Sequence, residues 1–228
     1  MYYSYGILAI LPVILLSLII QLNLNKTYVK YSSIDNSKGM TGGQMAEYIL
    51  RNAGIYDVTI SCIGGRLSDH FDPTRKVVCL SERIYHGTGI AAIGVAAHEC
   101  GHAIQHHEAY APVRIRSAVV GVTNLSSRIL YFLMIASLFF SGYSFGGILF
   151  DVAIICYLVI FFFQLITLPV EFNASNRAVK IIRSSGFSED DMIGVKKVLV
   201  SAALTYVASA VTALWQLILM ISRSQRRR

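Results

Sequence analysis

Long apolar runs alternate with polar segments along this chain, and they predict where it meets a membrane. Residues 7–24 are almost entirely aliphatic, and at about 1.5 Å per helical residue such a run crosses the hydrocarbon core of a bilayer. Residues 129–168 form a longer apolar tract with Gly142 and other glycines near its middle, which predicts two spans joined by a tight turn. Residues 198–221 form another apolar stretch before a basic tail. The pattern therefore predicts three to four transmembrane helices.

The polar stretch after the first apolar run has the pattern of a small mixed domain. Thr41 is a candidate N-cap of a short helix, and Gly54 is placed to end it. Strand-like runs at residues 58–63 and 76–80 predict a small β element. Residues 88–112 then have the pattern of a helix that begins at a capping threonine and stops where a proline follows.

Two more helices are predicted in the second half of the chain. Pro169 is expected to end the hairpin, and an amphipathic helix is expected from about Val170 to Arg183. Ser188 followed by three acidic residues is typical of the capped start of a last helix. The predicted fold class is a mainly α membrane protein with a small β element.

Composition agrees with a membrane protein and sets the expected partners. Hydrophobic residues make up 54% of the 228 residues and charged residues only 14%, with a mean hydropathy of +0.55, which is too apolar for a soluble domain of this size. The net charge of +7 comes from scattered Lys and Arg without a basic stripe interleaved with aromatic residues, so no nucleic-acid partner is expected. The lipid bilayer is the expected partner of this charge, and the oligomeric state stays open.

The placement of Lys and Arg predicts the orientation. Most of them lie in the polar segments around residues 26–128 and 177–197, whereas the hairpin tip has none, so the positive-inside rule places both segments in the cytoplasm of a multi-pass membrane protein. The first apolar run has no basic residues before it, so it is expected to remain as an anchor. If the last helix spans the membrane fully, the basic tail at 226–228 ends outside, which the positive-inside rule disfavours. The sequence therefore allows either a spanning or a re-entrant last helix.

The string HECGH, residues 98–102, is the clearest chemical signal in the sequence. His98 and His102 are four residues apart, so both imidazoles lie on one helix face and can hold one Zn²⁺. Glu99 is placed as the general base of the H-E-x-x-H pattern. The alternative is a chance pattern on a polar helix, but such a cluster in apolar surroundings is costly without a bound partner.

A catalytic zinc needs a third protein ligand. The metzincin pattern requires Gly at 105 and His at 108, where this chain has Gln105 and Glu108, so that class fails. His106 and its neighbour lie a turn further along and are expected to be polar residues at a helix end. Glu171 is the strongest candidate, because small residues at i+3, i+4 and i+7 would let its helix pack closely against the histidine helix. The alternative for Glu171 is an ordinary acidic residue at a helix N-terminus.

The strings HECGH, LPVEFNAS and ALTYVASA together resemble the neutral zinc metallopeptidase family of bacterial membrane proteins, relatives of the HtpX-type gluzincins. The resemblance covers nearly the whole chain and implies a gluzincin-like core with one zinc per chain. It implies that His98, His102 and Glu171 are the zinc ligands and Glu99 is the catalytic base. It also implies an edge strand that pairs with an extended substrate. The residues of that strand would be Lys76, Val77, Val78, Cys79 and Leu80.

One position departs from the HtpX-type pattern. Those enzymes usually carry an Asp four residues after the ligand Glu, where it orients a histidine by a hydrogen bond, and here Ser175 occupies that position with Asn176 beside it. Tyr206 and Arg177 are candidates to donate to the oxyanion of the transition state. Their alternatives are a tyrosine that packs between helices and an arginine that faces lipid headgroups.

These expectations divide the chain into five segments and predict one activity. The segments are an N-terminal transmembrane anchor at 1–24, a cytoplasmic zincin portion with the HExxH helix at 25–128, a transmembrane hairpin at 129–168, a third-ligand helix with its connection at 169–197, and a C-terminal apolar helix with a basic tail at 198–228. The predicted activity is zinc-dependent endoproteolysis of membrane or unfolded proteins. The alternative is a non-catalytic membrane scaffold or chaperone with a zinc-stabilised fold.

Overall fold

A computed structural model describes residues 8–225 and contains, within them, seven helices and one three-stranded sheet. The helices are α1 (Leu11–Ser32), α2 (Gly42–Asn52), α3 (Glu82–Tyr85), α4 (Ile90–His107), α5 (Ala111–Phe139), α6 (Ser144–Ser184) and α7 (Glu189–Gln225). The strands are β1 (Thr59–Ile63), β2 (His70–Asp72) and β3 (Val77–Ser81). The start of the predicted anchor and the last three arginines of the tail lie outside the described residues.

Four of these helices, α1, α5, α6 and α7, are long and apolar enough to cross a membrane. The predicted turn of the hairpin is confirmed, because α5 ends at Phe139 and α6 begins at Ser144. Gly146 packs onto this turn, where a Cβ atom would overlap the carbonyl oxygen of Phe140. The last helix begins at Glu189, directly after Ser188, as the capped and acidic pattern predicts, and it is continuous over 37 residues.

Two predicted helix boundaries are wrong. α4 ends at His107 rather than at Pro112, because Ala109 adopts a left-handed conformation with φ 51° and Tyr110 N–H donates to the Gln105 carbonyl oxygen. Pro112 instead lies in the first turn of α5. Backbone N–H groups in a first turn have no acceptor within the helix, so the N–H that proline lacks is not missed there. The helix start also differs, since the N-cap is Gly89 and the Thr88 hydroxyl donates to Asp35.

Pro169 does not end the hairpin helix. α6 runs without a break from Ser144 to Ser184 and contains Pro169 in its interior. A proline removes one backbone hydrogen bond from a helix, a loss that helices with membrane-spanning parts tolerate. The prediction of a separate helix from Val170 is therefore wrong, and Glu171 belongs to the same helix as the apolar run before it.

The sheet has the order β1-β3-β2, with β1 parallel and β2 antiparallel to β3. The prediction that residues 76–80 form an edge strand is therefore wrong, because β3 has a partner on each side from Val77 to Cys79 and cannot pair with a substrate there. β2 has only three residues, too few for an alternating pattern to reveal it from sequence.

The chain separates into two compact units, and one of them contains the sheet and α4. This unit comprises residues 20–113 and 170–205. Thr41 caps α2 through a reciprocal hydrogen-bond pair with Gln44, as predicted, and Gly54 follows the helix end with φ 70°. Met45 and Ile49 of α2 are buried in the core of this unit.

The other unit comprises residues 114–169 with the described parts of 1–19 and 206–228. A small apolar cluster around Phe150, Ala153 and Met220 lies at its centre. Trp215 Nε1 donates to the carbonyl oxygen of Ala9 at 2.6 Å, which joins an N-terminal and a C-terminal segment of this unit. Large exposed apolar side chains cover much of its surface, as expected of helices that face lipid.

Candidate metal centre

α4 is the buried central helix of its unit, and it carries both histidines of the HECGH string. Alanines at 91, 96, 97 and 103 are at most 1% exposed, so neighbouring elements approach this helix closely. His98 and His102 lie one turn apart with ring centroids 4.8 Å from each other. Their side chains retain 14% and 15% exposure, so this face of α4 is only partly covered.

Glu171 of α6 meets both histidines at this face. Its Oε2 atom lies 3.3 Å from Nε2 of His98 and 3.5 Å from Nε2 of His102, and the residue is only 3% exposed. One ligand atom from each of the three side chains lies within 4.8 Å of the others. Two imidazole nitrogens and one carboxylate oxygen are a donor set that zinc accepts, with a fourth position left for water or substrate.

The close approach of α6 to α4 depends on Gly101, the fourth residue of HECGH. A Cβ atom at Gly101 would lie 2.8 Å from the carbonyl oxygen of Ala174, which is too close for any side chain. Ala174 and Ala178 of α6 are fully buried, as expected if small residues allow the two helices to pack tightly. The glycine therefore sets the distance at which Glu171 reaches the histidines.

Gln105 fixes the orientation of His102, and sequence reasoning overlooked this role. Gln105 is fully buried, and its Nε2 atom donates to the carbonyl oxygen of Val170 at 2.8 Å and to Oδ1 of Asn173 at 3.0 Å. Both partners only accept, so the amide is turned with its Oε1 atom toward Nδ1 of His102, 3.0 Å away. An amide oxygen cannot donate, so Nδ1 carries the hydrogen and Nε2 keeps the lone pair that a metal binds.

The same network extends outward through Asn173 to Arg177. Arg177 Nε donates to Oδ1 of Asn173 at 2.7 Å, and its Nη2 atom pairs with Glu108 at 2.6 Å. The hydrogen bond with Arg177 lowers the pKa of the Glu108 carboxyl below its ordinary value. Arg177 thus supports the amide network behind His102.

His98 has a different partner at its outer nitrogen. Oγ of Ser175 lies 3.2 Å from Nδ1 of His98, at the position where HtpX-type enzymes usually carry an Asp. A hydroxyl both donates and accepts, so this contact does not select one tautomer of His98. Ser175 and Asn176 also line an apolar groove of about 290 Å³ between α6 and α7.

The charges around His102 affect its titration in the metal-free protein. Burial by itself lowers the pKa of His102, but the hydrogen bond with Glu171 and the nearby Glu99 carboxylate outweigh it and raise the pKa above the usual value. A proton on this histidine competes with a metal for the same nitrogen.

The remaining predicted site residues are placed as follows. Glu99 lies on α4 beside His98 and is only 8% exposed. Tyr206 lies on α7 in the unit that does not contain the histidines. Residues 76–80 include most of the central strand β3 and not an edge.

Comparison with known proteins agrees with this donor set. The sequence profile of a family described as "Putative neutral zinc metallopeptidase" matches residues 6–225. The chain belongs to this family. It is also 44% identical over 199 residues, which cover 87% of each chain, to a Bacillus subtilis (strain 168) protein named "Putative membrane protease YugP". No solved structure matches the chain significantly.

Membership of the zinc metallopeptidase family confirms two predictions from sequence. The resemblance to neutral zinc metallopeptidases is confirmed by the profile and by the Bacillus subtilis relative. The fold class is confirmed as well, since this is a mainly α membrane protein with a small sheet. The grouping of His98, His102 and Glu171 is compatible with the zinc that the family name implies.

Proposed function

We propose that this protein is a membrane-embedded zinc endopeptidase with one zinc per chain, held by His98, His102 and Glu171. The observation that carries the proposal is the meeting of two Nε2 atoms and one carboxylate oxygen within 4.8 Å, from helices that are far apart in sequence. The tautomer that Gln105 imposes on His102 supports it, because the imidazole then presents a lone pair to the common centre.

Glu99 is the proposed general base. When bound, zinc supplies Lewis acidity that polarises the scissile carbonyl and acidifies an attacking water. The Glu99 carboxylate accepts a proton from that water as the water oxygen adds to the carbonyl carbon. It then gives this proton to the amide nitrogen as the C–N bond breaks. Its position next to His98 in the H-E-x-x-H pattern, on a helix face where the residue is only 8% exposed, supports this role.

The substrate is proposed to be an extended segment of a membrane or unfolded protein. β2 is an edge strand of the described sheet, and Phe71 of β2 makes an edge-to-face contact with His106 of α4. Its unpaired side is therefore the proposed place for β pairing with a peptide, in place of residues 76–80. The groove beside Ser175 is lined mostly by apolar side chains, which favours apolar residues in the substrate.

The active site is proposed to face the cytoplasm of a multi-pass plasma-membrane protein. Lys26, Lys30, Lys196 and Lys197 belong to the unit that contains the histidines, and the turn between α5 and α6 carries no Lys or Arg. The positive-inside rule supports this orientation.

Replacement of Glu99 by Gln separates an enzyme from a scaffold. The purified wild-type protein in detergent is incubated with an unfolded membrane-protein segment that carries a fluorophore and a quencher. We expect Glu99→Gln to keep its zinc and to lose cleavage by a factor of about a hundred or more, whereas Glu47→Gln, an exposed control on α2, retains both. Cleavage by Glu99→Gln at the wild-type rate, or by neither protein, would favour the scaffold.

A further inference from the structure

A second cavity, away from the three candidate metal ligands, lies between the C-terminal part of α1 and the N-terminal part of α7. It has a volume of about 450 Å³, and both flanking helix segments belong to the unit that contains the sheet. Lys26 and Lys30 contribute from α1, and Lys196 and Lys197 contribute from α7. None of the candidate metal ligands lines it.

The charge in this cavity is unbalanced. No Asp or Glu is among its lining residues, and within residues 8–225 none of the four lysines forms an ion pair. Lys30 lies with its Nζ atom 5.4 Å from the ring centroid of Tyr31, a contact that leaves its charge uncompensated by an anion. Four lysines line one cavity, and an anion bound there would offset the repulsion among their like charges.

The polar side chains of the cavity are those that bind a phosphate well. Asn23, Thr27 and Ser201 line it together with the lysines. Asn23, Lys26, Thr27 and Lys30 follow the i, i+3, i+4, i+7 spacing, so they form one stripe along α1. Amide and hydroxyl donors beside several ammonium groups match an oxyanion with many acceptor positions.

The cavity also lies at two boundaries between polar and apolar sequence. The apolar run of α1 ends at Leu24, just before Lys26, and the apolar run of α7 begins at Val198, just after Lys197. Val200 and Leu204 line the cavity and are 57% and 38% exposed. A ligand that fits therefore combines an anionic head with an apolar tail.

We propose that this cavity binds the headgroup of an anionic phospholipid, with the phosphate among the four lysines and the acyl chains along Val200 and Leu204. Clusters of basic residues beside membrane helices have this lipid preference in general. Phosphatidylglycerol fits because its only charge is the phosphate, whereas phosphatidylcholine adds a cation that the lysines repel.

The test is lipid binding by the full chain in detergent after delipidation. Native mass spectrometry counts phosphatidylglycerol or phosphatidylcholine retained per chain as each lipid is titrated. We expect saturable binding of phosphatidylglycerol by the wild type and weak binding of phosphatidylcholine. Lys26→Gln with Lys30→Gln should weaken phosphatidylglycerol binding about thirtyfold, because each lysine contributes about fivefold to attraction toward an anionic lipid surface. Lys196→Gln with Lys197→Gln should do the same from the other helix.

The matched control removes two charges elsewhere in the same unit. Lys180 and Arg183 are exposed on α6 and do not line the cavity, so Lys180→Gln with Arg183→Gln should leave phosphatidylglycerol binding within twofold of wild type. Equal losses of phosphatidylglycerol binding in the control and in the cavity variants would overturn the proposal, because binding would then depend on the total charge of the protein and not on this cavity. Equal retention of phosphatidylglycerol and phosphatidylcholine would overturn the proposal. It would also be overturned if inorganic phosphate raised the unfolding temperature as much as phosphatidylglycerol does, since the ligand would then be a soluble anion. Zinc content of each variant reports whether the fold is intact.

Discussion

His102 and His98 lie one turn apart on α4, yet their outer nitrogens have different environments. Nδ1 of His102 meets a buried amide that is itself held by Val170 and Asn173. Nδ1 of His98 meets a single hydroxyl, that of Ser175, at 3.2 Å. The first arrangement allows one tautomer, whereas the second accepts either.

This difference means that the two histidines of the candidate metal centre are supported unequally. The amide network orients His102 before any metal binds, so less freedom is lost on binding. His98 has no comparable constraint, and the hydroxyl replaces the carboxylate that HtpX-type enzymes usually place there. Variants on the His102 side should therefore affect metal affinity more strongly than variants on the His98 side.

The largest effect is expected from Gly101→Ala, because the close contact between α4 and α6 at Gly101 positions Glu171 against both histidines. The new methyl would lie 2.8 Å from the Ala174 carbonyl oxygen, so α6 must move and Glu171 with it. We expect a loss of stability of about 1–3 kcal/mol and loss of most bound zinc, measured by thermal unfolding and elemental analysis. Gly94→Ala on the same helix is the control, because its methyl would meet Val195 at an ordinary 3.6 Å. Equal zinc content in the two variants would disprove the close-packing argument.

A smaller but clear effect is expected from Gln105→Leu. The substitution keeps the approximate volume but leaves Nδ1 of His102 and the Val170 carbonyl oxygen without their partner. We expect zinc affinity, measured by competition with a chelator, to fall about 10–100-fold. Unchanged affinity would show that the amide network does not orient His102.

The smallest effect is expected from Ser175→Ala. A lost hydroxyl contact that does not select a tautomer should lower zinc affinity less than about tenfold, whereas Ser175→Asp should raise it by fixing the hydrogen on Nδ1 of His98. If Ser175→Ala weakens zinc binding as much as Gln105→Leu does, the two histidines are supported equally and the comparison fails.

The parts of the site that sequence predicts follow from spacing within one element. Helical periodicity places His98 and His102 on one face, and the two spans between His102 and Glu171 return the chain to the same side of a membrane. The roles of Gly101 and Gln105 could not be predicted in this way, because each depends on the backbone of α6 at Val170 or Ala174. Contacts of that kind appear only when two distant helices are seen together.

The predictions of the fold fail where a local rule meets a tertiary constraint. Proline is read as a helix end, yet α6 continues through Pro169, because packing and an apolar environment stabilise a helix that lacks one hydrogen bond. The run at 76–80 is recognisable as a strand, but its neighbours are not, because β2 is too short to show alternation. Strand order therefore could not be predicted, and the central strand was mistaken for an edge.

The most direct measurement is the zinc content of the detergent-purified wild-type protein beside Glu171→Ala, by elemental analysis. Glu47→Ala, an exposed glutamate of α2, is the matched control. The account predicts one zinc per chain in the wild type and in Glu47→Ala, and close to none in Glu171→Ala. Full zinc content in Glu171→Ala, or no zinc in a supplemented wild type, would contradict the proposal that His98, His102 and Glu171 form the metal centre.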